Sequence, residues 1–391
     1  GKSILHNVLF SDDTLYMIEA LTNLGTKIQI NKERKEILIK GTGGQFTNPG
    51  KAIYVGNSGT CMRFLAGSLP LGDGIYVLDG NDRMQERPIQ DLLHGLQQLG
   101  VKIKSLHNNG CPPIEVKANG LEGGRAIING DTSSQYFSSI LLSAPYAHDK
   151  TILKARGELV SRPYVDMTIS MMKSFGANVY WTNDTTMEVD PSKKYSGRNY
   201  HIESDYSSAS YFMAAAALTG SKIKLEYLPT VSLQGDAAIK DILRKMGANI
   251  QEYDNGVIVE GKKKMKAIEI DMFHCSDLVP TIAVLAAFSR GKSKITNVAN
   301  ARVKESDRIH AVVTELKKLN VKVKELPDGL EIWGNDDFSS AMIETYDDHR
   351  IAMSFSLAGL MVDGIIISNP DCCSKTYPSF FKQLFTIFNL G

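Results

Sequence analysis

Basic residues are concentrated in four short segments, each placed where a helix is predicted to begin. The segments are residues 83–88, 302–308, 347–350 and 374–378. The N-terminus of a helix presents free backbone N–H groups and the positive end of the helix dipole, and an arginine fork matches carboxylate or phosphate. Within the second segment Lys304 and Arg308 are four residues apart, which predicts that both lie on one helical face. One such segment alone is more often a solvated helix cap, but the repetition favours a binding site for a small polyanion.

The composition of the whole chain provides no general field that would attract such an anion. The 391 residues include 44 basic and 43 acidic side chains, for a net charge of +1. A nearly neutral chain argues against general attraction to nucleic acid or to an anionic membrane. No apolar stretch approaches the length of a membrane span, and the five cysteines form no C-x-x-C pair and no metal-ligand spacing with histidine. We therefore expect a cytoplasmic protein, with its thiols reduced and no metal bound.

A short pattern recurs along the chain and organises it. An apolar helix end is followed by a turn residue and then by an alternating strand, with the turn residue at Gly25, Gly100, Gly176, Gly247 and Asn320, roughly 71 to 76 residues apart. Glycine, and to a lesser degree asparagine, adopts the left-handed backbone that ends many helices, and alternation of period two is typical of a half-buried strand. Another helix start, often rich in Ser, Thr or Asp, precedes each of these helices. The repeat is therefore interpreted as helix, helix, hairpin.

The five hairpins, with a sixth pair of helix starts at residues 347–350 and 374–378 that no hairpin follows, make six repeats. Six repeats predict two domains of three, since 391 residues exceed one ordinary core. The break is predicted near residues 201–204, which gives domains of residues 1–203 and 204–391. The first repeat starts at its second helix, capped at residues 11–13, and the last ends with a helix from Pro378 to about Phe388. The count therefore predicts that one helix and one hairpin are missing, and that one N-terminal segment would supply both. The nearly all-apolar helix at residues 210–218 indicates helices inside and sheets outside, with a six-repeat solenoid as the alternative.

Sequence motifs connect this repeat with a known family. Residues 56–63 read G-N-S-G-T-C-M-R, which resembles the G-N-[AS]-G-T-x-x-R signature of the 5-enolpyruvylshikimate-3-phosphate (EPSP) synthases. Residues 302–308 resemble the family's R-x-K-E-[ST]-D-R signature, and residues 83–88, 133–135 and 347–350 also match, in order along the chain. The resemblance implies an α/β protein with the two-domain enolpyruvyl transferase fold, an inside-out α/β barrel of three β-α-β-α-β-β units per domain. It also implies that substrates bind in the cleft between the domains.

The resemblance further implies a reaction and its ligands. The carboxyvinyl group of phosphoenolpyruvate moves to the 5-hydroxyl of shikimate 3-phosphate and phosphate leaves, without cofactor or metal, in the shikimate pathway to aromatic amino acids. By resemblance, the ligands of shikimate 3-phosphate would be Ser133, Ser134, Gln135, Ser161, Tyr164, Asp277, Asn300 and Lys304. Phosphoenolpyruvate would be held by Gly59, Arg87, Gln135, Arg308, Arg350 and Lys375, with support from Asn57, Thr60, Arg63 and His349. Both substrates carry a phosphate and a carboxylate, which agrees with the basic segments.

Two carboxylates would carry the proton transfers that this reaction needs. The chemistry requires a base for the 5-hydroxyl and an acid for the vinyl carbon. By position Asp277 is the family's proton acceptor, and Glu305 is its partner at the vinyl carbon. A monomer is expected, because the family is monomeric.

One part of the family pattern has no counterpart in this chain. Members begin with a strand and a Gly-Ser-Lys-Ser segment whose lysine, with a nearby arginine, contacts both substrates, and Lys2 lies too close to the helix capped at residues 11–13 to be its remnant. We expect the natural protein to have this segment, and a polypeptide that starts at Gly1 to show little activity. Two alternatives stay open. One is an enolpyruvyl transferase acting on UDP-N-acetylglucosamine, although its signature loop cysteine has no clear counterpart, and the other is an inactive anion-binding fragment.

Overall fold

The chain divides into two compact units, which are described one at a time. The computed structural model describes residues 1–262 and 264–389. The first unit runs from Gly1 to Ile202 and the second begins at Glu203, so the division lies one residue before the predicted one. Each unit has its own cluster of buried apolar side chains.

The first unit alternates strands and helices and ends on a short strand. The elements are β1 (Lys2–His6), α1 (Asp12–Asn23), β2 (Lys27–Asn31), β3 (Glu36–Lys40), β4 (Ile53–Tyr54), α2 (Gly59–Ser68), β5 (Asp73–Asp79), α3 (Gln90–Gln98), β6 (Lys102–Ser105), β7 (Ile114–Asn119), β8 (Gly124–Asn129), α4 (Ser134–Ser143), β9 (Thr151–Arg156), α5 (Arg162–Ser174), β10 (Asn178–Asn183), β11 (Thr186–Asp190) and β12 (Asn199–His201).

The sheets of the first unit share one strand order. They are β4-β5-β7-β6, β8-β9-β11-β10 and β12-β1-β3-β2. In each sheet the first two strands are parallel, and the hairpin adds antiparallel strands beside them. Because parallel strands need a crossover, α2 and α4 connect the pairs β4–β5 and β8–β9. The repeated element is therefore β-α-β-α-β-β, as the family resemblance implied.

The second unit continues the same alternation. Its elements are α6 (Tyr206–Thr219), β13 (Lys222–Glu226), α7 (Ile239–Met246), β14 (Asn249–Tyr253), β15 (Gly256–Glu260), β16 (Glu269–Asp271), α8 (Val279–Ala287), β17 (Lys292–Thr296), α9 (Arg308–Lys318), β18 (Val323–Leu326), β19 (Gly329–Trp333), β20 (Met342–Ile343), α10 (His349–Ser356), β21 (Ile366–Ile367) and α11 (Phe380–Phe388). Its sheets are β13-β15-β14, β16-β17-β19-β18 and β20-β21.

Burial shows helices inside and sheets outside within each unit. In α8 every residue from Val279 to Ala287 is buried, and in α6 the whole run from Ala209 to Leu218 is buried. The strands instead alternate, as in β7, where Ile114, Val116 and Ala118 are buried and the intervening residues are more exposed. Each sheet therefore turns one face to the helices and one to solvent. The alternative of a six-repeat solenoid is wrong, because the chain forms two compact units, each with its own buried cluster.

The turn residues of the predicted helix–hairpin repeat behave as expected. The backbone φ angle is +91° at Gly25, +87° at Gly100, +97° at Gly176, +105° at Gly247 and +63° at Asn320. Each lies between a helix and the first strand of a hairpin. The helix–hairpin part of the repeat is thus confirmed. Among the described residues no helix is both long and apolar enough to cross a membrane.

Candidate active site

The carboxyl ends of parallel strands bring the candidate residues of the first unit together. The loops that follow β4 and β5 begin side by side, since the N–H of Val55 donates to the carbonyl of Asp79 at 3.0 Å. One loop leads to Gly59 at the start of α2, and the other leads to Arg87. Ligand sites in α/β proteins commonly form at such strand ends.

Arg87 lies against the first turn of α2. Its side chain is buried, and its Nη1 atom donates to the backbone carbonyl and to the side-chain Oδ1 of Asn57, both at 3.1 Å. A β-carbon placed on Gly59 would lie 2.7 Å from Nη2 of Arg87. The absence of a side chain at Gly59 therefore makes room for the guanidinium. The helix start and the arginine together form an anion-binding arrangement.

Gln135 joins this helix start to the next one. Its Oε1 accepts from Nη1 of Arg63 at 2.6 Å, and its Nε2 donates to the hydroxyl of Thr60 at 2.9 Å. The Arg63 guanidinium also lies 5.5 Å from the ring centre of Tyr136. Arg63 and Thr60 thus hold Gln135 in place.

The predicted serines sit at neighbouring helix starts. Ser133 caps α4 and accepts from the N–H of Gln135 at 3.3 Å, and Ser134 is the first residue of that helix. Ser161 precedes α5 in a left-handed conformation, with φ of +53°, and its carbonyl accepts from the N–H of Tyr164 at 3.1 Å. Helices α4 and α5 pack together and follow the parallel strands β8 and β9. We call Gly59, Arg87, Ser133, Ser134, Gln135, Ser161 and Tyr164 the first-unit cluster.

The candidate residues of the second unit are grouped around one carboxylate, that of Asp277. Its Oδ1 lies 2.9 Å from Nη1 of Arg308 and 3.6 Å from Nζ of Lys304, and its Oδ2 lies 3.0 Å from Nη2 of Arg350. The loops after the parallel strands β16 and β17 supply Asp277 and Lys304. Partial burial favours the neutral acid, but the three cations outweigh it and hold the pKa of Asp277 well below its usual range.

Arg308 is the most enclosed cation of this group. Its side chain is 1% exposed and contacts three carboxylates. Besides Asp277 these are Glu305, at 2.7 Å from Nη2, and Asp348, at 2.8 Å from Nε. Burial opposes the charged form, but the carboxylates outweigh it and raise the pKa of Arg308, so the guanidinium stays charged. A charge this enclosed needs such partners, since burying it alone would be costly.

Asp348 holds Arg308 and the start of α10 at once. Its wholly buried carboxylate accepts from the hydroxyl of Ser306 at 2.9 Å and from the N–H of Arg350, also at 2.9 Å. The charge of Arg308 more than offsets burial and lowers the pKa of Asp348. The sequence motif at residues 347–350 contained Asp348, but nothing in it indicated which cation the carboxylate would bind.

The remaining predicted residues lie nearby in the same unit. Lys375 places its Nζ 3.6 Å from Oε1 of Glu305. Asn300 is buried and donates from Nδ2 to the hydroxyl of Ser276 at 3.1 Å. The ring of His349 is buried, with Nδ1 3.7 Å from Asp348. Burial lowers the pKa of His349 to about 3, so the imidazole is neutral near pH 7. We call Asp277, Asn300, Lys304, Glu305, Arg308, Asp348, Arg350 and Lys375 the second-unit cluster.

One prediction about this cluster is wrong. Lys304 and Arg308 do not share a helical face, because α9 begins only at Arg308 and the backbone at Lys304 is extended. Asp307 caps the helix by accepting from the N–H of His310, which fixes its start after Lys304. The two cations nevertheless reach the same carboxylate, through a bend of the chain. Arg302 also serves a different purpose from its neighbours, since it binds Asp307 and Glu325.

Asp236 belongs to this region, and its sequence surroundings contain no signal that would single it out. It is 1% exposed, its Oδ2 accepts from the hydroxyl of Ser207, and its Oδ1 has no hydrogen-bond partner among the described residues. Burial raises the pKa of Asp236 to about 7, against the opposing charge of Arg350. Among the described residues no group of three His, Cys, Asp or Glu side chains is placed to hold a metal ion.

The fold and the two clusters define a class: α/β enzymes of repeated β-α-β-α-β-β units that bind small anionic substrates at helix starts. Comparison with known proteins makes this specific. The family model for EPSP synthase (3-phosphoshikimate 1-carboxyvinyltransferase) matches residues 1–384. The enzymes of that name from Shewanella denitrificans and Nostoc punctiforme are each 41% identical over 385 residues, which is 98% of this chain and 90% of the relative. A solved EPSP synthase from Acinetobacter baumannii has a TM-score of 0.80 at 29% identity, covering 99% of this chain and 90% of that one.

This chain belongs to the EPSP synthase family. It is a transferase of the shikimate pathway, which leads to chorismate and the aromatic amino acids, and it moves an enolpyruvyl group to shikimate 3-phosphate. The alternative acceptor, UDP-N-acetylglucosamine, finds no support in the names of these relatives.

Proposed function

We propose that the enolpyruvyl transfer is carried out by Asp277 and Glu305, within the cations that surround them. The observation that carries the proposal is the carboxylate of Asp277, contacted by Lys304, Arg308 and Arg350. So many cations around one carboxylate leave positive charge available for anionic substrates.

The ligand roles that we propose are those implied by the family resemblance. For phosphoenolpyruvate we propose Gly59, Arg87, Gln135, Arg308, Arg350 and Lys375. For shikimate 3-phosphate we propose Ser133, Ser134, Gln135, Ser161, Tyr164, Asp277, Asn300 and Lys304. The support is chemical. The first set is rich in cations for a phosphate and a carboxylate, and the second is rich in hydroxyl and amide groups that suit a polyol phosphate.

Asp277 would accept the proton of the 5-hydroxyl as that oxygen adds to the carbon that bears the phosphate. Glu305 would give a proton to the neighbouring vinyl carbon in this addition and take a proton back from the resulting methyl group as phosphate leaves and the double bond re-forms. A carboxylate whose pKa is held low by three cations is a weak base. Anionic groups bound at Arg350 and Lys304 would offset those charges, because like charges nearby favour protonation of a carboxylate. Asp277 therefore becomes a stronger base when substrates are present.

The test measures phosphate release by the full-length protein from phosphoenolpyruvate and shikimate 3-phosphate. Asp277→Ala and Glu305→Gln should each lower turnover about a hundredfold or more, while substrate binding largely survives. Glu331→Gln is the matched control, since Glu331 lies on β19 and pairs with Lys292 at the sheet surface. Wild-type turnover in either variant would remove that residue from the proposed chemistry. Ligand binding without phosphate release by a polypeptide that starts at Gly1 would favour the alternative of an inactive anion-binding fragment.

We also propose that the protein works as a monomer in the cytoplasm, without a metal or cofactor. The five cysteines carry free thiols, which suits a reducing compartment. Light scattering should give the mass of one chain, and turnover should persist after treatment with a chelator. A dimer mass, or activity that returns only on addition of a divalent cation, would contradict these two points.

A further inference from the structure

Helix α9, which begins at Arg308 of the second-unit cluster, also carries a buried carboxylate that the proposed mechanism does not use. Glu315 is on α9, seven residues after Arg308 and therefore two turns further along the same helical face. Its side chain is wholly buried. A buried carboxylate is retained only where hydrogen bonds or charges compensate it, so its partners show its purpose.

Those partners tie α9 to the turn that precedes α10. The Oε2 atom of Glu315 accepts from the backbone N–H of Glu344 at 3.0 Å, and Oε1 accepts from the hydroxyl of Tyr346 at 2.7 Å. Lys318 lies 2.7 Å from Oε2 and balances the charge. Burial and the bond to Glu315 raise the pKa of Tyr346, so its hydroxyl remains a donor throughout the neutral range.

The turn that Glu315 holds has a strained backbone. Tyr346 and Asp347 follow one another with φ angles of +54° and +53°, a left-handed conformation that L-residues rarely adopt in succession. Such a conformation persists only where its surroundings determine it. The next residue is Asp348, whose N–H donates to the carbonyl of Thr345 at 2.9 Å, and Arg350 lies two residues further on.

We propose that Glu315 is a positioning residue for the phosphoenolpyruvate site. It fixes the turn at residues 344–347 from the inside of the unit, so that Asp348 meets Arg308 and Arg350 meets Asp277. The proposal rests on the role in phosphoenolpyruvate binding proposed above for Arg350 and Arg308. If the tether is lost, the turn relaxes and Arg350 is displaced, while the shikimate 3-phosphate ligands of the first unit are unaffected.

The test compares the Michaelis constants for the two substrates in variants of the full-length protein. Glu315→Ala removes both hydrogen bonds and should raise the KM for phosphoenolpyruvate roughly tenfold to a hundredfold, the range expected from misplacing a binding group by about 1 Å. The KM for shikimate 3-phosphate should rise several times less, because Asp277, which contacts Arg350, is one of eight proposed ligands of that substrate, and several of the others lie in the first unit. Glu315→Gln should stay close to wild type, since its amide oxygen can accept from Glu344 and its amide nitrogen can donate to the Tyr346 oxygen.

Two further variants separate positioning from general damage. Tyr346→Phe breaks a single tether and should give an intermediate rise in the same KM, which keeps the test informative if Glu315→Ala does not fold. Val313→Ala is the matched control, because Val313 is buried on α9 about 200° around the helix from Glu315. It should lower stability and leave both KM values unchanged. An equal rise in both KM values for Glu315→Ala and Tyr346→Phe, or no rise in either variant, would overturn the proposal.

Arg350→Ala distinguishes failure of this inference from failure of the proposed site. If Arg350→Ala raises the KM for phosphoenolpyruvate and the Glu315 and Tyr346 variants do not, the tether is wrong and the site stands. If Arg350→Ala leaves that KM unchanged, the ligand assignment itself is wrong, and the positioning role of Glu315 fails with it.

Discussion

The missing side chain at Gly59 leads to a prediction about one residue. A β-carbon there would lie 2.7 Å from Nη2 and 3.0 Å from Cζ of Arg87, which is buried and bonded to Asn57. Gly59→Ala should therefore displace the guanidinium while α2 still forms, because alanine favours helix. Overpacking of this kind costs about 1–3 kcal/mol. Because it displaces a proposed binding group, we expect that cost to appear as weaker binding, with a rise of roughly fivefold to a hundredfold in the KM for phosphoenolpyruvate. Steady-state kinetics checks this, and an unchanged KM would show that Arg87 does not bind that substrate.

At single residues, the sequence allowed the site residues to be predicted but not all of their partners. Residue types at family positions singled out Asp277, Lys304, Arg308 and Arg350 as site residues. The structure brings these four side chains together, and their roles toward the substrates stay a prediction. The partners of Asp348 and Asp236 could not be predicted, because both depend on contacts between distant segments. Asp348 binds an arginine 40 residues earlier, and Asp236 binds a serine 29 residues earlier. A single sequence contains no record of such pairs.

Helix caps allow a prediction about an element. Asp205 caps α6, the buried helix that begins the second unit, and its carboxylate accepts from the N–H groups of Ser207 and Ser208, both at 3.0 Å. Asp205→Ala leaves these donors without that partner and should destabilise the second unit by about 1 kcal/mol, whereas Asp205→Asn keeps an acceptor and should cost less. The urea midpoint of unfolding measures both. Equal midpoints for Asp205→Ala and the wild type would mean that water replaces the cap at no cost.

At the scale of elements, helices and hairpins were predictable. The strands outside the hairpins were not, and among them are β5, β9, β13 and β17, with five to seven residues each. The helix ends at Gly25, Gly100, Gly176 and Gly247 follow from local backbone chemistry, which a sequence displays directly. Strands β4, β20 and β21 have two residues each, too few for an alternation of period two to appear. These strands form because a parallel neighbour supplies the hydrogen bonds, so they depend on tertiary structure. The residue pattern alone therefore indicated helix, helix, hairpin, and only the family resemblance supplied the remaining strands.

Two buried groups make the stability of the whole molecule depend on pH in opposite directions. Burial raises the pKa of Asp236 to about 7 in the folded protein, so between about pH 4 and 7 the folded state binds more protons than the unfolded state. This contribution is lost as pH rises. Burial lowers the pKa of His349 to about 3, so between about pH 3 and 6.5 the unfolded state binds more protons, and this contribution is lost as pH falls. Between about pH 5 and 6 the two groups therefore change the free energy of unfolding with pH in opposite directions.

Removing one group at a time should expose the slope of the other. Asp236→Asn should make the free energy of unfolding fall more steeply than in the wild type as pH is lowered from 7 to 5, and His349→Asn should make it fall less or rise.

Both groups belong to the second unit, so only its unfolding should respond. The two tryptophans report the units separately, because Trp181 lies in the first unit and Trp333 in the second, and a Trp181→Phe background leaves fluorescence from Trp333 alone. Urea titrations at several pH values would give the slopes, and all other titrating groups cancel when each variant is compared with its parent. Parallel slopes in the two variants would contradict the opposite shifts. A response of Trp181, followed in a Trp333→Phe background, would show that the units do not unfold independently.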